Sequence, residues 1–243
     1  MSEQQALLDI SRPPIAAVLF DMDGLLLDTE TIALSVLAAT IESAGFTWSP
    51  AVGQRMLGRN GRDGDAILSE HYGVEFDVKH IRAEFMRQYE RHLRDHSIAL
   101  KKGALNLLRY LESNGILLAL VTSSRRSLTK LKLQKSGIIK YFEVQVCGDE
   151  LGNGKPDPEG FLLAAEKLDV PPEQCLVLED SAAGVQAALS AGMAAWWVPD
   201  QKPATKDLID QGAIVYSDLI SVEQELLLLI GNDNAKKSSS ATQ

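Results

Sequence analysis

Short apolar runs alternate with helix-period segments along most of the chain. Ile15-Ala-Ala-Val-Leu-Phe20 is apolar throughout and ends on polar residues, the pattern of a strand buried on both faces. Asp21-Met-Asp-Gly24 then reads as a loop. Over 29–44, Ile32, Val36, Leu37, Ala39, Thr40 and Ile41 recur at roughly helical spacing, and Gly45 can stop the helix. Segments 63–72 and 78–95 also predict helices, the second amphipathic and heavily charged. No good strand candidate lies between 29 and 98, so this is a helical block of about 70 residues.

From Gly103 the texture becomes alternation. Ala104–Ser113 predicts a helix closed by Gly115, Ile116–Val121 a strand, and Ser127–Ser136 a helix closed by Gly137. Val144–Cys147 is a shorter strand, followed by a helix over Pro158–Leu168, a strand over Cys175–Leu178, a helix over Ala182–Ala191 and a strand over Ala194–Val198. Ala204–Gln211, Ala213–Tyr216 and Val222–Leu229 form a weaker last unit.

Repeated strand–helix units imply an α/β fold, a Rossmann-like doubly wound parallel sheet, with the helical block inserted into it. We expect a discontinuous α/β core over 13–28 and 100–230, an all-helical cap over 29–99, and flexible tails over 1–12 and 231–243. No internal repeat is visible. Sheets of this class hold ligands beyond the carboxyl ends of their strands. The polar clusters fall there: Asp21 and Asp23 after the first strand, Thr122-Ser-Ser124 after the next, Glu179-Asp-Ser181 after a later one. The helical block follows the first cluster directly, where a lid would sit.

Composition narrows the classes. The 243 residues carry 24 Lys+Arg and 33 Asp+Glu, a formal charge of −9. That argues against a nucleic-acid partner, which asks for a clustered basic face. It makes an anionic substrate awkward unless local cations reverse the field. The longest apolar stretches, such as Gly115–Val121, are far short of a membrane span, and 1–12 has no basic leader pattern. Cys147 and Cys175 read as two buried thiols in a reducing compartment, so a cytoplasmic protein is expected.

The strand ends carry the chemistry. Asp21 and Asp23 are close enough to repel unless a cation or differing protonation separates their roles, although Asp-x-Asp is also a common turn. Thr122 and Ser123 offer a hydroxyl and backbone N–H groups before a helix: an anion cradle, a helix cap, or both. Lys155 lies in Gly154-Lys-Pro-Asp-Pro158, as a fixed cation for a phosphate or a solvated surface charge. Glu179 and Asp180, near Asp21 and Asp23, are costly without a counter-ion. Oxygen-only ligands select a hard cation, and Mg²⁺ is the one expected. All four histidines, His71, His80, His92 and His96, fall in the helical block, so none is expected as an acid or base at the strand ends.

Together, Phe20-Asp-Met-Asp-Gly-Leu-Leu-Leu-Asp-Thr-Glu30, Val121-Thr-Ser-Ser124, Gly154-Lys-Pro-Asp-Pro158 and Leu178-Glu-Asp-Ser-Ala-Ala-Gly184 resemble, in order, the four motifs of the haloacid dehalogenase superfamily. More narrowly they resemble its helical-cap branch of beta-phosphoglucomutase-like and sugar-phosphatase-like proteins. The resemblance implies a Mg²⁺-dependent phosphatase acting on a small phosphorylated metabolite through an aspartyl-phosphate. Asp21 would be the nucleophile and Asp23 the general acid and base. Thr122 and the Ser123 backbone would bind the phosphoryl oxygens, with Lys155 neutralising charge. Asp21, the Asp23 carbonyl, Asp180 and Glu179 would hold the metal. Arg125 or Arg126 would add positive field. Gly58-Arg-Asn-Gly-Arg62 resembles a cap loop that carries a substrate-contacting Arg, which makes Arg62 or Arg59 the candidate. The alternative is a sugar-phosphate mutase using the same Asp pair. Beta-phosphoglucomutases usually carry a His shortly after the Asp-Thr of the first motif. Ala33 stands there, which favours hydrolysis of a sugar, polyol or nucleoside monophosphate. The first two motifs also look like the pseudouridine-monophosphate phosphatase type. A monomer is the default expectation.

Overall fold

The structure is a computed structural model and describes residues 14–56, 61–200 and 202–240. A six-stranded sheet runs in the order β3-β2-β1-β4-β5-β6, where β1 is Ala17–Phe20, β2 Leu117–Thr122, β3 Val144–Cys147, β4 Cys175–Glu179, β5 Ala194–Trp197 and β6 Ile214–Val215. Every pairing is parallel. The sequence order reverses on either side of β1, the switch point at which such sheets open a crevice.

Apolar alternation within the strands decides the layers. Val18, Phe20, Leu118, Leu120, Leu176, Leu178 and Trp196 face one core. It is covered by α5 (Ala104–Ser113), α6 (Arg126–Ser136) and α10 (Leu219–Ser240). Ala17, Leu19, Ala119, Val121, Val177 and Trp197 face the other core, under α7 (Glu159–Leu168), α8 (Ala182–Ser190) and α9 (Lys206–Asp210). β1 is buried along its whole length. That is why its sequence is a continuous apolar run rather than an alternating one.

Among the described residues, four helices intervene between β1 and α5: α1 (Glu30–Ser43), α2 (Pro50–Met56), α3 (Gly61–Tyr72) and α4 (Val78–Asp95). They pack around a third, smaller core of Leu37, Ile41, Val52, Leu68, Phe76 and Ile81. α4 starts on an Asp77 side chain that accepts from the His80 N–H at 3.0 Å. Leu27 pairs with both Asp23 and Leu100, so the two chain crossings between the helical block and the sheet lie side by side.

Two sequence expectations differ from the structure. α2 was not expected. The segment predicted as a tail over 231–243 is helical backbone as far as Ser240. Gly231 disfavours a helix by about 1 kcal/mol relative to Ala, which does not by itself end one. The predicted tail over 1–12 lies outside the described residues.

Candidate active site

Sheet register brings the site together. Phe20 is level with Leu120 on one side and Leu178 on the other. Asp21, the residue after β1, is therefore level with Val121 near the end of β2 and with Glu179, the last residue of β4. The Asp21 N–H continues the ladder to the Leu178 carbonyl at 3.1 Å. Lys155, on the loop before α7, reaches up between them. Its ammonium donates to Asp21 Oδ1 at 2.5 Å, to Glu179 Oε1 at 2.5 Å and to the Val121 carbonyl at 3.0 Å. Burial works against the Lys155 charge, but Asp21 and Glu179 outweigh it and hold the ammonium protonated. Burial pushes the Asp21 carboxyl up to about 7, with Glu179 and Asp23 adding to the rise and Lys155 opposing it.

Asp21, Glu179 and Asp180 each present a carboxylate oxygen, all within 4.8 Å of one another. Asp180 is raised well above the ordinary carboxylate range by burial, then by Glu179 and Asp21. Three carboxylates and one ammonium leave a deficit of two positive charges. An all-oxygen donor set with that deficit fits a hard divalent cation. Glu179 is the most committed of the three. One oxygen faces Lys155 and the other accepts from the Ser181 N–H at 2.8 Å and its hydroxyl at 2.9 Å.

Two glycines make room for these acids. Gly24 has φ +91°, and a Cβ there would lie 2.3 Å from Asp180 Oδ2. A Cβ on Gly184, in the first turn of α8, would lie 1.8 Å from Glu179 Oε1. Gly184→Ala is expected to cost about 1–3 kcal/mol through overpacking. In a domain of this size that is roughly 2–12 °C in Tm. Thermal denaturation checks it, and an unchanged midpoint would contradict the packing.

Asp23 is held separately. Its Oδ1 accepts from Thr29 Oγ1 at 2.5 Å and Lys132 Nζ at 2.7 Å, and its Oδ2 from Ser124 Oγ at 2.8 Å. Burial opposes ionisation, but Lys132, followed by the hydrogen bonds, brings its pKa below the usual carboxylate range. The Asp23 side chain is thus not one of the metal-facing trio. Thr29, Ser124 and Lys132 were not singled out from the sequence. Lys132 had a signal: it shares the inward face of α6 with Leu128, Thr129 and Leu133.

The model of the haloacid dehalogenase-like hydrolase family matches residues 18–198, from β1 to the residue after β5. The chain belongs to this hydrolase family. It is 36% identical over 217 residues to the phosphorylated carbohydrates phosphatase of Thermotoga maritima, covering 87% of this chain and 99% of that one. It is 33% identical over 202 residues to (DL)-glycerol-3-phosphatase 1, mitochondrial, of Arabidopsis thaliana, covering 80% and 67%. A crystal structure of a hydrolase of this family from Deinococcus radiodurans, with bound phosphate and sodium, superposes with a TM-score of 0.74 at 26% identity, covering 89% and 96%.

In this haloacid dehalogenase-like hydrolase, Thr122 is buried and its hydroxyl accepts the Ser124 N–H at 3.1 Å, shaping the loop after β2. Ser123 is exposed beside it, and both line a cavity with Lys155 and Gly154. Arg125 is paired with Glu90, and Arg126 with Glu150 and the Gln145 carbonyl, so neither faces the acids. Arg59 lies outside the described residues. Arg62 lies in α3, and its side chain is likewise outside them. His92, in the last turn of α4, and His96, the residue that caps it, stack on each other at 4.2 Å, and His71 and His80 are exposed. Cys147 and Cys175 are free, buried thiols.

Proposed function

We propose that this hydrolase is a Mg²⁺-dependent phosphatase of small phosphate monoesters, with sugar, polyol and nucleoside phosphates as the substrate class. The observation that carries this reading is the buried Asp21 at the switch point, gripped by Lys155 and level with two further acids. The names of the relatives support the substrate class. Two buried free thiols suit a reducing cytoplasmic setting, and no described helix is long and apolar enough to cross a membrane. We read α1–α4, over 29–99, as the cap that closes over the ester and reads its alcohol.

In the first step an oxygen of Asp21 attacks phosphorus and forms the aspartyl-phosphate. The ester P–O bond breaks, and the leaving oxygen takes a proton from Asp23, which is ionised in the free site and receives that proton from the incoming monoanionic ester. In the second step water attacks phosphorus and gives a proton to Asp23. The Asp21–phosphorus bond breaks, and inorganic phosphate departs. Lys155 fixes one oxygen of Asp21 and offsets charge on the phosphoryl group, while Thr122 and the Ser123 backbone bind its oxygens. Asp21, Asp180 and the Asp23 carbonyl would hold Mg²⁺, with Glu179 anchoring Lys155 beside them. When bound, the cation supplies the positive charge that the acids lack and draws charge from the phosphoryl oxygens. Ala33 offers no proton-handling group to the site from α1, which favours hydrolysis over a mutase.

Phosphate release from a panel of sugar, polyol and nucleoside monophosphates, with and without Mg²⁺, tests the reading. Release should need the metal, and silence across the whole panel would overturn the proposal. The raised carboxyls add a second expectation. Asp21 binds its proton more tightly folded than unfolded between pH 3.8 and about 7, and Asp180 is shifted in the same direction. The metal-free protein should therefore lose stability as pH rises through that window. Saturating Mg²⁺, at about 100 times its Kd, is expected to return about 2.7 kcal/mol. The Mg²⁺-induced Tm shift should be larger in mildly alkaline buffer than in acid; a shift that shrinks with rising pH would contradict it.

A further inference from the structure

The proposed mechanism does not use Lys132. It is 3% exposed, and its α6 neighbours on the same face are Leu128, Thr129 and Leu133. Burying an ammonium costs several kcal/mol unless a partner compensates. The carboxylate that meets it is Asp23, at 2.7 Å. Lys132 Nζ also donates to Ser124 Oγ at 3.2 Å, and Ser124 Oγ in turn donates to the other oxygen of Asp23 at 2.8 Å. Lys132 and Ser124 therefore hold both oxygens of one carboxylate and fix its plane. Tyr89 of α4 closes the far side. Its ring centroid is 5.7 Å from Lys132 Nζ.

Packing alone would be served by an apolar residue at 132. A buried cation aimed at an aspartate, on a helix that begins beside the Thr122–Ser124 loop, does something packing does not. We propose that Lys132 is a positioning residue that orients the Asp23 carboxyl toward the oxygen leaving the phosphoryl group. This rests on the role given to Asp23 above.

The test compares esters of one acid with different alcohols. A nitrophenyl phosphate leaves without a proton, whereas an alkyl phosphate needs one. The constant kcat/KM covers the steps up to alcohol release and leaves out hydrolysis of the phosphoenzyme. Asp23→Asn calibrates the assay and should lose about 10²-fold or more on the alkyl ester and far less on the aryl ester. Lys132→Met should show the same selective loss, smaller in size. Ser124→Ala, a change that fills no space, should lean the same way and stands in if Lys132→Met does not fold. Because Lys132 acts through Asp23, the double variant Asp23→Asn/Lys132→Met should be no worse than Asp23→Asn alone. If Asp23→Asn is selective but the Lys132 and Ser124 variants lose both esters in parallel, or their effects add to it, the proposal falls alone. If Asp23→Asn itself loses both esters equally, the role of Asp23 falls and takes the proposal with it.

Discussion

Asp21→Asn is expected to remove turnover, by about 10⁴-fold or more, while leaving the protein folded. The side chain keeps its size and its place at the end of β1, and the backbone N–H still bonds to Leu178. What disappears is the anionic oxygen that attacks phosphorus. The structure also predicts how the variant behaves as a folded protein. Asp21 is one of three clustered carboxylates, and burial raises its pKa to about 7. Above that pH the wild type carries the charge at a cost that the amide does not bear. In metal-free, mildly alkaline buffer, Asp21→Asn should therefore melt no lower than wild type, and should gain less from added Mg²⁺. Phosphate release and thermal denaturation on the same preparation check both halves. Activity within about tenfold of wild type would remove Asp21 from the role of nucleophile. A large fall in Tm would show instead that the site needs the charge in order to fold.

What the sequence made legible follows from how each feature is held. β1, β2 and β4 are buried on both faces, so each is a near-continuous apolar run. Their register then forces the residues just beyond them to one height. The strand ends group Asp21, Asp23, Glu179 and Asp180 for that reason, although Lys132 holds the Asp23 side chain apart from the other three. Lys155 was legible because Pro156 and Pro158 set its loop apart. α2 was not legible: seven residues containing Gly53 are too short to show a helical period. Lys132 was hidden by its neighbours. Lys130, Lys132 and Lys135 look alike in Arg126–Ser136, and only the phase set by Leu128 and Leu133 turns the middle one inward. Ser124 stands in the polar cluster after β2 in the sequence, but its pairing with Asp23, 101 positions away, is a contact that local spacing cannot reveal.

Lys155→Met should damage both stability and catalysis, in proportions that depend on pH. The ammonium lies 2.5 Å from Asp21 and 2.5 Å from Glu179, with its side chain 10% exposed, and no other cation touches either carboxylate among the described residues. Removing one partner of a buried ion pair costs about 3–5 kcal/mol, because the remaining charge stays buried without compensation. Here two carboxylates are stranded, with Asp180 beside them. In a domain of this size the loss corresponds to roughly 6–20 °C in Tm. Its pH dependence is decided by what the stranded acids can do. Lys155 lowers the pKa of Asp21, so its removal lets that pKa climb further above its already raised value. Toward acid pH the carboxyls bind protons and the repulsion fades; toward alkaline pH they cannot, and the deficit grows. The gap in Tm between wild type and variant should thus widen from about pH 5 to about pH 9. Mg²⁺ should narrow it by supplying charge, yet phosphate release should stay low, since nothing then fixes the plane of the Asp21 carboxylate. Melting curves across that range, with and without Mg²⁺, separate these effects. A constant gap, or none, would mean that Lys155 is not the counter-ion of these acids.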